Sequence, residues 1–287
     1  MPGKQEPRNT IGVGDRTLGP DLVLVGVLNV TPDSFSDGGD FLDPGKAASR
    51  AAAMLDEGAG IIDVGGESTR PGSDPVPPDA EVRRVVPVIQ EILAERPDAT
   101  VSVDTYRAAT AEAALEAGAR GVNDVTALRG DPRLAGVVAG AGCPLILMHM
   151  LGEPKTMQRD PRYGDVVREV RGFLAGRAER AVAAGVGEEN IILDPGIGFG
   201  KTLEHNLTLL NHLDSIVELG FPVLVGASRK SFIGKITGAE EAKDRVSGTV
   251  AANVIAYERG ATLFRVHDVR ANREALAVAR AVRYGSR

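Results

Sequence analysis

From Leu22 onward the chain repeats one unit: a short apolar run, a polar or glycine-rich loop, then a longer segment with helical periodicity, rich in Ala, Glu and Arg. The runs are LVLVGVL (22–28), GIIDV (60–64), TVSVD (100–104), GVND (121–124), PLILMH (144–149), NIILD (190–194), PVLVGA (222–227) and TLFRVH (262–267). Such runs lack the in-out alternation of a half-solvated sheet, so they read as strands buried on both faces, as in a parallel sheet covered by helices. The intervening segments, among them KAASRAAAMLDEG, DAEVRRVVPVIQEILAE and ANREALAVARAVRY, read as those helices, and several end on Gly, the usual left-handed stop. Eight such units predict an α/β fold of the closed (β/α)8 type, a TIM barrel, with an open doubly wound sheet as the alternative because strand order is not legible in one sequence.

The length of 287 residues suits a single barrel, which commonly takes roughly 250. No linker interrupts the alternation, so residues 21–287 read as one domain. Residues 1–20 read as a separate N-terminal segment in which IGVGDRTL forms a small hairpin turning at Gly14-Asp15. The net charge of −6 argues against a broad nucleic-acid footprint. No run approaches the ~18 apolar residues of a membrane span, and MPGKQEPRNT has no apolar signal region, so a cytoplasmic enzyme is expected. The one cysteine, Cys143, permits no internal disulfide and reads as a core residue.

The stretch PGIGFGKT (195–202) approaches a phosphate-cradling loop, but Pro195 stands where the first glycine is required and has no N–H to offer. Lys201 and Thr202 then read as the opening of an ordinary helix. The strand ends are more informative, because catalytic groups of a barrel sit where each strand passes into its following loop. They carry Asn29, Asp63, Asp104 with Thr105, Asn123 with Asp124, Met148 with His149, Asp194, Ser228 to Lys230, and Arg265 with His267. No Cys/His cluster suggests zinc and no nucleophile-elbow pattern suggests a serine hydrolase. Asp104, Asn123 and Asp194 suit a heterocycle with an amino group and ring N–H, since these side chains supply acceptors. Arg229, Lys230, Arg265 and His267 follow the seventh and eighth strands, where barrels often bind phosphate. Two loops, NVTPDSFSDGGDF and GGESTRPGSDPVPPDAE, are too rich in Gly, Pro, Ser and Asp for regular structure and read as lids over this rim.

Eight motifs in order, GVLNVTPDSFSDGG, IIDVGGESTRPG, SVDTYRA, VNDV, LMHMLGEPKTMQ, DPGIGFGKTLEHN, GASRKSFIG and RVHDV, resemble the dihydropteroate synthase family of pterin-binding enzymes, over residues 22 to 283. The resemblance implies a (β/α)8 transferase of folate biosynthesis that condenses 4-aminobenzoate with 6-hydroxymethyl-7,8-dihydropterin diphosphate, releasing diphosphate. It implies magnesium as cofactor, small-molecule substrates and a homodimer, the class of protein that sulfonamides target. Matched by position, it assigns the pterin to Asp63, Asp104, Asn123, Met148, Asp194, Phe199 and Lys230, with Asp104, Asp194 and Lys230 as the catalytic set. Aminobenzoate falls to Thr69, Arg70, Pro71 and Ser231, and diphosphate to Asn29, Arg265 and His267, Asn29 also holding the metal. The implied chemistry is ionisation-first substitution at the pterin methylene, which needs no enzyme nucleophile. Two other readings share the pocket: a pterin-binding methyltransferase, which would need no diphosphate site, and a pterin-binding protein without turnover.

Overall fold

The computed structural model describes residues 11–13, 16–18, 22–31, 43–68, 73 and 76–285. β1 (Ile11–Val13) and β2 (Arg16–Leu18) pair antiparallel, Val13 opposite Arg16, so the expected hairpin is present although its turn lies outside the described residues. The eight long-range strands are β3 (Val23–Asn29), β4 (Ile61–Gly65), β5 (Val101–Asp104), β6 (Val122–Asp124), β7 (Leu145–Met148), β8 (Ile191–Asp194), β9 (Leu224–Val225) and β10 (Leu263–Val266). They pair in parallel in the order β8-β7-β6-β5-β4-β3-β10-β9. A parallel bridge between Leu193 and Val223, with the Leu193 N–H donating to the Pro222 carbonyl at 2.9 Å, joins β8 to β9 and closes the ring. This seam is narrow because Pro222 has no N–H to extend the ladder. The barrel, and not the open sheet, is the architecture.

The helices are α1 (Pro44–Asp56), α2 (Pro78–Glu95), α3 (Ala108–Glu116), α4 (Leu134–Ala141), α5 (Val166–Ala183), α6 (Leu203–Asn211), α7 (Asp214–Val217), α8 (Ser231–Thr237), α9 (Val246–Glu258) and α10 (Val269–Tyr284). Asp43 caps α1 by accepting from the Lys46 N–H, and Asp165 caps α5 from the Arg168 N–H. Two of the longer segments between strands hold more than one helix. TLEHNLTLLNHLDSIVELG divides into α6 and α7, and the segment before the last strand divides into α8, a 3-10 turn (Ala242–Arg245) and α9, with Gly238 in the left-handed conformation stopping α8. No helix among the described residues is long and apolar enough to cross a membrane.

Period-two geometry sorts each strand into two cores. Leu24, Leu28, Ile62, Val64, Val103, Leu145, Leu147, Leu193 and Phe264 belong to the core between sheet and helices, with Ala47, Ala51, Met54, Val85 and Ile89 from α1 and α2. The other parity forms a separate plug inside the ring: Val23, Val25, Ile61, Ile146, Ile192, Leu224 and Leu263. Two residues further along the same strands the inward positions become Asp63, Met148, Asp194 and Arg265. The plug floors the mouth, and the candidate residues form the layer directly above it.

Candidate active site

Asp63 is the hub of that layer, with 0% of its surface exposed. Its Oδ1 accepts from Ser102 Oγ at 2.6 Å, and its Oδ2 accepts from Asn123 Nδ2 at 2.9 Å and from Arg265 Nε at 2.7 Å. Arg265 also donates through Nη2 to Asp104 Oδ2 at 2.8 Å. Burial works against the Arg265 charge, but Asp63 and Asp104 more than offset it and raise its pKa. Burial raises the Asp104 carboxyl to about 7 despite Arg265, with Asp63 adding to the rise. Asn123 points its amide nitrogen at Asp63, and its buried Oδ1 has no hydrogen-bond partner among the described residues. An unpartnered buried acceptor costs on the order of 1–3 kcal/mol, which a ligand N–H can recover.

On the opposite wall, Asp194 ends β8 and its Oδ1 accepts from the Gly196 N–H at 2.7 Å. Burial raises its carboxyl to about 6, against the pull of that N–H and of Lys230. Gly196, Gly198 and Gly200 all have positive φ, so this loop is a run of left-handed turns. A side chain at Gly196 would enter the His149 carbonyl, and one at Gly200 would meet Leu151. The turns bring Phe199 beneath the ammonium of Lys230, with Nζ 3.8 Å from the ring centroid. Burial, then the charge of Arg265, lowers the Lys230 amine to about 8. Phe199 clusters with Met148, Met150, Met157 and Val125, giving the mouth one soft apolar side.

Toward the rim, Gly65 separates Asn29 from Asp104: a methyl group there would stand 3.7 Å from Asn29 Oδ1 and 3.4 Å from the Asp104 Cβ. His267 Nδ1 lies 3.0 Å from Ser228 Oγ, and that hydroxyl accepts from the His267 N–H at 3.1 Å. Arg229, at φ 58, pairs with both Asp268 oxygens, at 2.9 Å from Nε and 2.6 Å from Nη2, so two contacts bind the loop after β9 to the end of β10. Burial, then Arg265 and Arg229, drives the His267 pKa down to about 3, leaving the ring neutral. Ser231 is exposed on the first turn of α8.

The structure thus gathers Asp63, Asp104, Asn123 and Arg265 into one bonded cluster and sets Asp194, Lys230, Phe199 and Met148 around the same mouth. Asn29 and His267 sit at its edge. Thr69, Arg70 and Pro71, and most of the first long loop, lie outside the described residues. Arg265, read from sequence only as a diphosphate ligand, reaches down between two pocket carboxylates. The reading of Lys201 as part of a helix opening is corrected. Thr202 is the cap, with a reciprocal bond to His205, whereas Lys201 is 3% exposed and bonded within the pocket loop. Two groups went unread. Ser102 is inward by the same period-two count that selects Asp104. Arg107, which donates to Glu67 at 2.7 Å, to Glu81 and to the Val76 carbonyl at 2.9 Å, fastens both ends of the second long loop.

Comparison with known proteins agrees with this geometry. Residues 25–267 match the family described as pterin binding enzyme. The dihydropteroate synthase of Synechocystis sp. is 47% identical over 264 residues, covering 92% of this chain and 91% of the relative. That of Mycobacterium leprae is 49% identical over 261 residues, covering 89% and 91%. The structure of Xanthomonas albilineans dihydropteroate synthase with 4-aminobenzoic acid superposes with a TM-score of 0.90 at 44% identity, covering 96% of this chain and 99% of that one.

Proposed function

The chain belongs to the pterin-binding enzyme family, and from that membership we propose that it acts as a dihydropteroate synthase, a transferase joining 4-aminobenzoate to 6-hydroxymethyl-7,8-dihydropterin diphosphate with release of diphosphate. The observation that carries the reading is the buried, unpartnered Asn123 Oδ1 in a pocket walled by the carboxylates of Asp104 and Asp194. A pterin offers an amino group and ring N–H to such acceptors and a carbonyl to Lys230, while its flat ring packs on Phe199 and Met148.

The substitution proceeds by ionisation first. The bond from the methylene to the diphosphate oxygen breaks, the electron pair leaves with diphosphate, and the positive charge spreads into the pterin. Asp104 and Asp194 hold the ring and stabilise that charge, each contributing on the order of 2–4 kcal/mol in the water-poor mouth. The amine of 4-aminobenzoate then forms the C–N bond and loses a proton. Arg265 binds diphosphate as a cation. His267 does so as a neutral imidazole, its ring held in place by the 3.0 Å contact of Nδ1 with Ser228 Oγ. The family resemblance assigns the aminobenzoate to Thr69, Arg70, Pro71 and Ser231.

Magnesium, held with the diphosphate, would supply neutralisation of the leaving group's charge. Asn29, whose Oδ1 faces the gap at Gly65 on the rim, would hold it through that single hard oxygen, a donor that suits an ion taking oxygen ligands. The enzyme works in the cytoplasm as a homodimer. Ile255 on α9 and Val278 and Val282 on α10 support that assembly, being large apolar side chains left exposed on adjacent helices, Val282 to 84%.

Purified protein with the dihydropterin diphosphate, magnesium and 4-aminobenzoate should release diphosphate in step with the amine. Release without the amine, or none, overturns the assignment. A secondary isotope effect near unity at the methylene, with strong dependence on amine basicity, overturns ionisation first.

A further inference from the structure

Lys201 is the buried charge that the reaction leaves unused. Its Nζ lies 2.9 Å from His149 Nδ1 and donates to the carbonyls of Gly196 at 2.9 Å, Phe199 at 3.0 Å and His149 at 3.3 Å. Two of these acceptors belong to the glycine loop after β8 and two to the end of β7. We infer that Lys201 is a positioning residue for the pterin pocket: its side chain ties the glycine loop to His149 and so fixes where Phe199 and the Gly196 N–H stand relative to Asp194.

A backbone accounting supports this. Gly198 N–H goes to Asn206 Oδ1 at 2.7 Å, the Gly198 carbonyl to Gln158, and the Gly200 carbonyl to the Tyr163 hydroxyl at 2.8 Å. The carbonyls of Gly196 and Phe199, which flank the turn presenting the aromatic face, converge on Lys201; apart from it, only the Phe199 N–H reaches the Gly196 carbonyl, at 3.0 Å. The partner imidazole is neutral, lowered to about 3 by burial and by the Lys201 charge, and is packed edge-on against Phe173 with centroids 4.8 Å apart. A neutral ring can take the tautomer whose Nδ1 accepts from the ammonium 2.9 Å away, so Lys201 faces four acceptors, of which the Gly196 carbonyl also takes the Phe199 N–H.

The inference rests on the pterin reading, and the test separates the two. Wild-type protein is titrated with 6-hydroxymethylpterin, followed by the pterin fluorescence, and separately with inorganic diphosphate and magnesium by calorimetry. Leaving these acceptors without a donor should cost Lys201→Met about 30-fold or more in pterin affinity. Diphosphate affinity should stay within about threefold, and Lys201→Gln, which keeps two donors, should recover part of the loss. Thr202→Ala, which removes only the helix cap, should lower the melting temperature with pterin affinity unchanged. If wild type does not bind the pterin, the functional reading fails; if it binds and Lys201→Met binds equally, the positioning inference fails. Should neither Lys201 variant fold, wild type labelled with 15N-lysine decides: a slowly exchanging Lys201 ammonium signal that shifts on pterin binding supports the inference, and one indifferent to the pterin overturns it.

Discussion

Replacing Gly196 by Ala tests the geometry of the glycine loop directly. The residue has φ 66, where an L side chain costs about 1–2 kcal/mol. A Cβ there would also occupy the position of the His149 carbonyl, which is backbone and has no rotamer to yield. The loop must shift, and two charge-assisted bonds shift with it: Lys201 to the Gly196 carbonyl at 2.9 Å and the Gly196 N–H to Asp194 at 2.7 Å. At roughly 1.5–3 kcal/mol each, their loss brings the total to about 4 kcal/mol or more, a large part of the roughly 5–15 kcal/mol stability of an ordinary domain. Gly142 is the control. It has φ 60 at the end of α4 but nothing within 4 Å of an added Cβ, so Gly142→Ala should cost only the backbone strain, about 1–2 kcal/mol. Urea unfolding of both variants gives the difference, and pterin fluorescence shows whether the Gly196 variant has lost its pocket. Equal destabilisation of the two, with pterin binding intact, refutes the argument.

Burial holds the Asp104 carboxyl at about 7 and the Asp194 carboxyl at about 6, and the pterin needs both ionised, so affinity is full only above pH 7 and falls as pH drops through each value in turn. Each protonation contributes a fall approaching roughly tenfold per unit, so Asp194→Asn should bind weakly and lose the lower of the two steps while the upper one stays; an unchanged profile would sink the assignment. Arg265→Met strands the fully buried Asp63 without its cation and should cost about 3–5 kcal/mol in unfolding experiments. Adding Asp63→Asn should recover part of that, so strict additivity would contradict the pairing. Arg107→Met leaves Glu81, bonded otherwise to Thr110, as a buried carboxylate without a cation, and calorimetry should record a loss of similar size, about 3–5 kcal/mol. Ser228→Ala removes the hydroxyl that holds the His267 ring in place and should weaken diphosphate binding several-fold while pterin affinity holds; a parallel loss of both would point to a general collapse of the site.

The alternation of apolar runs with amphipathic segments determined eight buried strands and their covering helices, because both are local patterns readable within a few residues; the closure of β8 on β9, which makes them a barrel and not an open sheet, came only with the tertiary structure. The position of Asp63, Asp194 and Arg265 at the ends of apolar runs placed them at the mouth. What those side chains do to one another was not legible. Arg265 reaches carboxylates 202 and 161 positions away, and nothing in their spacing distinguishes a rim guanidinium from one drawn down to a buried acid. The break between α6 and α7, the narrow β8–β9 seam and the tie of Arg229 to Asp268 likewise depend on what packs alongside. Lys201 shows the division most plainly. In sequence it follows a glycine and precedes a helix cap, which is where an exposed lysine is commonplace. Only the folded chain brings the end of β7 against the glycine loop, and the donors those backbone carbonyls require come from whichever side chain the closure of the barrel leaves beside them.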